Sequence, residues 1–479
     1  MSQLTGLLSR RGEDVTQRLL RILGRTLVRH DAYGIATPDG AEHSPRPIEF
    51  TSFSSSVALG HRLVKVHPTD NPQPILDGDR AIAFIGRLWE TPEPSGLTAA
   101  DILRGDAEEG FNELLTEHEG PWVAVVAEGE EIWCARDTIG SVPLYYGKND
   151  VFIGVSTDTK TLLGLGMEPL RVKPGHIVTL GKGETHDEEV AHLGEPPQSS
   201  MSLDEATDEL DGLLVRAASR ESRGLNSPTL AFSGGIDSTL LAFYLKRAGT
   251  RPRLTCVGST DSADIDAAEA AADALGLPVI IKTFTEADLD EHLGAILGSI
   301  EEADPMKVGV AAPLYFVALD AAAKPSRAIF SGNGSDELFG GYAKYTQEYQ
   351  MHGERVRATM FRDVARTYEV NLERDWKVCS DLGLELRLPY ADPELTRFAL
   401  SLPLRHKLPA EGKEPRKIIL RHLAGRLGLP RDIAERPKKA AQYSSGTGKM
   451  IERLAKRRGK TVAGYLAERL REVRGVEQG

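Results

Sequence analysis

At 479 residues, with 41% hydrophobic and 27% charged side chains, the chain is too long for one hydrophobic core and reads as two globular domains, with room for a third. A formal net charge of -12 argues against nucleic acid as a general partner, although a local basic site is compatible with it. Residues 1–190 read as β-rich, with strand runs at 82–85, 122–126 and 151–153 between turn signals, and a helix-like stretch at 15–27. Gly194-Glu195-Pro196-Pro197-Gln198-Ser199-Ser200 marks a linker, taken as 191–201. Ser202 and Glu205 then form a capping box, opening a helix with Leu203, Ala206, Leu210, Leu213, Leu214 and Ala217 on one face. Beyond it strands at 254–257, 279–281 and 328–330 alternate with helices such as 265–275, which predicts a parallel doubly wound sheet over 202–450 with ligands at the strands' carboxyl ends. The tail, 451–479, carries Lys456, Arg457, Arg458 and Lys460 on a short amphipathic pattern. Such a run reads first as a solvated helix face and second as an RNA or partner contact.

Three widely spaced cysteines, Cys134, Cys256 and Cys379, suit a reducing compartment and offer neither a disulfide framework nor a Cys-x-x-Cys site. The N-terminus has no apolar leader and no stretch approaches membrane-spanning length, so a cytoplasmic protein without a membrane partner is expected.

Two segments carry the chemistry. Leu230-Ala231-Phe232 leads into Ser233-Gly234-Gly235-Ile236-Asp237-Ser238 and then an amphipathic stretch, which is strand, glycine-rich turn and helix start. Two glycines let backbone N–H groups close on an anion, and the helix start adds unpaired donors and a favourable dipole. Ser233 and Ser238 supply hydroxyls, and Asp237 can hold a divalent cation against phosphate oxygens. The pattern is neither Walker A nor the dinucleotide fingerprint. Its plain alternative is a Ser/Gly turn between strand and helix. A second loop, Ser331-Gly332-Asn333-Gly334-Ser335-Asp336-Glu337-Leu338-Phe339-Gly340-Gly341-Tyr342, also follows a predicted strand. Two such loops on one sheet, each with an aspartate, would clamp a triphosphate and share Mg²⁺.

With both loops the chain resembles the glutamine-dependent asparagine synthetase superfamily, including its β-lactam synthetases and lasso-peptide cyclases. The likeness extends over about 1–450. It includes Ala312-Pro313-Leu314-Tyr315, Gly383-Leu384-Glu385-Leu386-Arg387-Leu388-Pro389-Tyr390-Ala391-Asp392, Lys417-Ile418-Ile419-Leu420-Arg421, Arg436-Pro437-Lys438 and, upstream, Arg136-Asp137-Thr138-Ile139-Gly140-Ser141-Val142-Pro143-Leu144-Tyr145-Tyr146. The resemblance implies an α/β protein: an N-terminal Ntn-type αββα sandwich, here a degenerate glutaminase, and a C-terminal parallel sheet of the ATP-pyrophosphatase (PP-loop) type. It implies ATP and Mg²⁺, with pyrophosphate on Ser233, Gly234, Gly235, Asp237 and Ser238, and metal on Asp237 and Asp336. Val257 and Gly258 would lie by the adenine, and Ser331 and Gly332 near the α-phosphate or ribose. Lys438 matches the lysine that neutralises charge as a nucleophile attacks the acyl-adenylate, with Lys439 a rival for that role. Arg374 matches an arginine of the active-site network, and a homodimer is compatible with the family.

Departures from the family are concentrated at the nucleophiles. A glutamine-hydrolysing member has cysteine after the initiator methionine, and here Met1-Ser2-Gln3-Leu4-Thr5-Gly6 puts Ser2 in that place. The Asn-Gly pair of the oxyanion hole reads Ile85-Gly86, removing a donor that is typically worth about 10²–10³ in rate. The aspartate that holds the substrate's ammonium aligns with Thr98, while Arg62 matches the arginine that pairs with its carboxylate. Asparagine synthetases carry glutamate, and β-lactam synthetases tyrosine, where this chain has Asn333. A neutral amide there cannot act as general base. An aspartate common near Arg374 aligns with Asn371, and Glu373 and Asp375 flank that arginine as acid/base candidates.

The expectation is a ligase that adenylates a small-molecule carboxylate and passes it to ammonia or an amine without in-chain glutamine hydrolysis. Three alternatives stay open: an ammonia-dependent asparagine synthetase, an intramolecular amide former of β-lactam or lasso type, and a tRNA-acting pyrophosphate-loop protein.

Overall fold

Period-two apolar runs in the first 190 residues pair into two antiparallel sheets. In this computed structural model, which describes residues 2–25, 28, 30–91, 95–260, 262–411, 415–437 and 441–477, the chain divides into two compact units. The first is Met1–Leu193 with Ser380–Glu385, and the second is Gly194–Cys379 with Leu386–Gly479.

In the first unit one sheet runs Leu170–Arg171, Tyr145–Lys148, Phe152–Ser156, Gln3–Ser9, Val57–Leu63, Ala32–Thr37, Gly40–Ser44. The other runs Thr185–Glu189, His176–Gly181, Glu131–Arg136, Trp122–Glu128, Arg80–Gly86, Ile75–Asp77. Gly6 lets the sheets approach: a Cβ there would lie 2.7 Å from Leu59 and 3.6 Å from Ile132 of the facing sheet. The helix Thr16–Gly24, inside the expected 15–27, buries Leu19, Leu20 and Leu23 on the outer face of the first sheet. Ser95–Ile102 and Ala107–Glu117 cover the second sheet, where Phe111 and Leu114 pack with Phe84 and Trp122. This is the expected αββα sandwich. Far-sequence residues complete it, for Gln3 Nε2 donates to Ser380 Oγ at 3.4 Å and Lys160 Nζ bridges both Asp381 oxygens at 2.9 and 2.8 Å.

In the second unit Ser202 accepts from the Glu205 N–H at 3.3 Å, while the Glu205 carboxylate accepts from the Ser202 N–H at 2.8 Å. The helix they open, Leu203–Ser222, buries the predicted face. The sheet runs Val279–Thr283, Arg253–Gly258, Thr229–Ala231, Ala328–Phe330, Glu385–Arg387. Its first four strands are parallel. From Thr229–Ala231 the chain winds to one side, then returns to place Ala328–Phe330 on the other. That reversal creates a crevice at the carboxyl ends of those two strands, the usual ligand position in such sheets.

One expectation changes here. The helix Pro305–Ala322 is long and apolar enough to cross a membrane by length and composition, with mean hydropathy 1.2, contrary to the sequence reading. Its buried residues, including Val308, Ala311, Leu314 and Val317, make it a core helix of this unit. The basic run of the tail is solvated as expected, while the helices that carry it are packed on their other faces. Thr447–Arg457 buries Met450, Ile451 and Leu454, and Val462–Glu477 follows with Tyr465 donating to Asp290 at 2.7 Å and Arg474 to the Glu301 carbonyl at 2.9 Å. Lys456, Arg458 and Lys460 stay exposed, and Arg457 pairs with Glu286 at 2.7 Å.

Candidate active site

The first glycine-rich loop joins Thr229–Ala231 to the helix Ile236–Arg247. Gly234 has φ +64, and a Cβ on it would lie 2.2 Å from the Ala267 carbonyl, so only glycine fits. Gly235 caps the helix without a side chain, leaving first-turn N–H groups facing outward for an anion. The hydroxyls hold the turn: Ser238 Oγ accepts from the Ser233 N–H at 3.3 Å and donates to the Gly235 carbonyl at 3.2 Å. Ser233 Oγ accepts from the Gly235 N–H at 3.3 Å.

The second loop follows Ala328–Phe330 and is bonded to the first through its acidic residues. Ser335 Oγ donates to Asp237 Oδ1 at 2.8 Å. Lys417, fully buried, puts its ammonium 2.5 Å from Asp237 Oδ1 and 2.6 Å from Asp336 Oδ1. Its backbone sits at φ +61 at the N-cap of Ile418–Arg426. A lysine there is locally disfavoured twice, by the left-handed conformation and by the positive end of the helix. Gly341 closes the arrangement: a Cβ on it would fall 1.8 Å from Asp336 Oδ1. Sequence reasoning carried Lys417 only inside a matched run and assigned it no role. The signal for it was the basic residue directly before an apolar helix.

Two aspartates converging on one ammonium also fit a magnesium ion, which takes one or two protein carboxylates and completes its shell with phosphate and water oxygens. Among the described residues no group of three or more His, Cys, Asp or Glu side chains forms a metal cage. The donor set therefore suits a metal that is shared with a nucleotide.

A chain of hydrogen bonds leads away from the second loop. Asn333 Nδ2 donates to Asp375 Oδ2 at 2.7 Å, and Arg374 Nε donates to Asp375 Oδ1 at 2.7 Å. Arg374 Nη1 donates to Asn371 Oδ1 at 3.1 Å, and Asn371 Nδ2 to Glu337 Oε1 at 2.7 Å. Tyr342 donates to the same Glu337 oxygen at 2.6 Å. Burial, and then the Asp336 charge, push the Glu337 carboxyl above its ordinary range. Arg374 and Asp375 leave a π-helical turn, Tyr368–Leu372, a distortion frequent at functional sites.

Val257 and Gly258 end the strand Arg253–Gly258, where a Cβ on Gly258 would meet Ser262 Oγ at 2.5 Å. Ser259 N–H donates to the Ser445 carbonyl at 2.9 Å and Ser262 Oγ to the Ser444 carbonyl at 2.8 Å, tying that strand end to a late segment of the chain. Arg436 spans Ser233 and Asp264, donating to the Ser233 carbonyl at 3.0 Å and to Asp264 Oδ1 at 3.1 Å. Of the remaining candidates, Ser331 and Gly332 lie in the second loop, where a Cβ on Gly332 would be 3.4 Å from the Asp237 side chain. Lys438 and Lys439 lie outside the described residues.

Residues 209–355 and 348–472 match the model of the asparagine synthase family. The chain belongs to the asparagine synthase family. A protein of Methanocaldococcus jannaschii described as a glutamine-hydrolysing asparagine synthetase is 31% identical over 396 residues, 72% of this chain and 73% of that one. A glutamine-hydrolysing asparagine synthetase of Triphysaria versicolor is 26% identical over 430 residues, 81% of this chain and 70% of that one. Among solved structures, the glutamine phosphoribosylpyrophosphate amidotransferase of B. subtilis complexed with ADP and GMP is 14% identical, covers 58% of this chain and 65% of its own, and has a TM-score of 0.33. As a member of the asparagine synthase family the chain is an ATP-dependent, AMP-forming carbon–nitrogen ligase.

In the first unit the residues that the resemblance singled out occupy ordered positions. Ser2 Oγ accepts from the Val64 N–H at 3.1 Å. Ile85 is buried in the strand Arg80–Gly86, and Thr98 lies in the helix Ser95–Ile102. Arg62 is buried and donates to the Arg25 carbonyl at 3.2 Å. His30 and His61 are buried, the ring nitrogens of His61 with no hydrogen-bond partner among the described residues, and burial pulls both imidazoles down to about 3.

Proposed function

We propose that this chain adenylates a small-molecule carboxylate with ATP, releases pyrophosphate and passes the acyl group to ammonia or an amine, without hydrolysing glutamine itself. The observation that carries this reading is the meeting of Asp237, Asp336 and Lys417 at the crevice where the sheet reverses. Phosphate oxygens are bound by the N–H groups of Gly234, Gly235 and the first helical turn, with the Ser233 and Ser238 hydroxyls beside them. Asp237 and Asp336 would hold Mg²⁺, which would supply positive charge to the phosphate oxygens. Lys417 adds a positive charge that is already in place before the reaction, so no reorganisation is needed when that charge develops. Lys438, with Lys439 as its rival, would neutralise the charge that develops as the nucleophile attacks, and Arg374 belongs to the surrounding network. Ser2 in place of a thiol, Ile85 in place of an amide donor and Thr98 in place of an ammonium anchor support the absence of a working glutaminase.

The test is exchange of radiolabelled pyrophosphate into ATP by purified protein with Mg²⁺ across a carboxylate panel that includes aspartate. Asp237→Ala serves as control, and glutamine hydrolysis is assayed in parallel. Exchange that depends on one acid and is lost in the variant, with no glutamate released from glutamine, is the expected result. Absence of exchange with every acid sinks the adenylation reading, and release of glutamate sinks the claim about the first unit.

A further inference from the structure

We infer that Asp375 is the proton acceptor for the attacking amine, taking over a task that Asn333 cannot perform. The inference rests on the ligase reading above and adds to it the residue that completes the second half-reaction. Asn333 sits on the loop that follows Ala328–Phe330, and its side chain is fixed at both ends: Oδ1 accepts from the Gly334 N–H at 2.9 Å and Nδ2 donates to Asp375 Oδ2 at 2.7 Å. The N–H of Gly334 decides which end is which, because only the carbonyl oxygen can accept from it. The amide is therefore spent as a donor, and the nearest negative charge in this chain of bonds stands one hydrogen bond away.

That carboxylate is well prepared. Asp375 is 4% exposed, so bulk water competes little for it. Arg374 holds its other oxygen at 2.7 Å, which fixes the plane of the group. A carboxylate offers about four lone-pair positions, and these two bonds leave acceptor capacity on each oxygen. Glu337, the other carboxylate in the network, is separated from Asn333 by Asn371, Arg374 and Asp375, and its Oε1 already takes two donors.

In the step, the lone pair of an ammonia or primary amine forms the C–N bond at the carbonyl carbon of the acyl-adenylate. The C–O bond to AMP breaks with its electron pair remaining on the phosphate oxygen. One N–H proton passes to an Asp375 oxygen and is then lost to solvent, which regenerates the carboxylate.

Asp375→Asn, with Asp375→Glu alongside, tests this by comparing two half-reactions on the carboxylate that gives the strongest wild-type exchange. Pyrophosphate exchange reports adenylation, and amide formation with ammonium chloride or with hydroxylamine reports transfer. Hydroxylamine is unprotonated at neutral pH and needs little help from a base. The expected result for Asp375→Asn is that transfer to ammonia falls by about 10²–10⁴-fold, while exchange persists, hydroxylamine restores most of the turnover and Asp375→Glu recovers part of it. Undiminished transfer to ammonia overturns the assignment. Parallel loss of exchange and transfer also overturns it, because Asp375 would then act only by holding Arg374. If wild type shows no exchange with any acid, the ligase reading fails first and this assignment with it.

Discussion

The residues that the resemblance singles out in the two units are held in different ways. In the second, Lys417 joins Asp237 to Asp336, and Asn333, Asp375, Arg374, Asn371, Glu337 and Tyr342 follow one another in an unbroken series of hydrogen bonds. In the first, the ring nitrogens of His61 have no such partner among the described residues, and Arg62 turns to a backbone carbonyl. Buried charges are costly unless paired and oriented, so a network that satisfies them is under strong constraint. Neutral imidazoles that only fill space are not. The contrast teaches that catalytic competence is visible in how polar groups hold one another, more than in whether each is present.

Removing Lys417 should break that contrast most severely. Lys417→Ala leaves two aspartates facing each other without their cation, and pyrophosphate exchange should fall by about 10²–10³-fold, the usual effect of deleting one preorganised charge. Next comes Gly341→Ala, whose methyl group would overlap Asp336 and displace its carboxylate. A misplacement of about 1 Å costs about 10²-fold, which steady-state exchange kinetics would read, with a raised Mg²⁺ requirement.

A smaller effect sharpens the comparison from the other side. His30 and His61 titrate near 3 when folded and at their ordinary 6.5 when unfolded. Between those values the unfolded chain binds more protons, so stability is complete above 6.5 and falls as the pH drops towards 3. Three of the four tryptophans, Trp89, Trp122 and Trp133, lie in the first unit, so acid titration followed by tryptophan fluorescence should report it. His61→Gln should flatten the curve over that window. An unchanged curve would mean the histidines do not govern acid unfolding. The smallest effect belongs to Ser2→Ala. It should leave ammonia-supported amide formation unaltered and cost about 0.5–1.5 kcal/mol of stability from one lost hydrogen bond, measured by denaturant titration.

Much of this was legible before any coordinates. Both glycine-rich loops announce themselves because a close backbone approach and an exposed helix start require particular residues at particular offsets. The capping box at Ser202 and the strand at 328–330 are equally local signals. The unread parts depend on residues far apart in sequence. Lys417 reaches Asp237 across 180 positions, and Asn333 meets Asp375 across 42, distances over which periodicity carries no information. The helix Pro305–Ala322 escaped notice as an apolar span because Lys307 and Asp320 interrupt its run at either end. The tail's basic residues drew attention away from Met450, Ile451, Leu454, Tyr465 and Leu466, the residues that bury it.

The membership of Ser380–Glu385 in the first unit bears on how genes of this kind can change. A polypeptide ending after Leu193 would lack Asp381, the partner of Lys160, and Ser380, the partner of Gln3. The first unit therefore draws contacts from a distant part of the same reading frame.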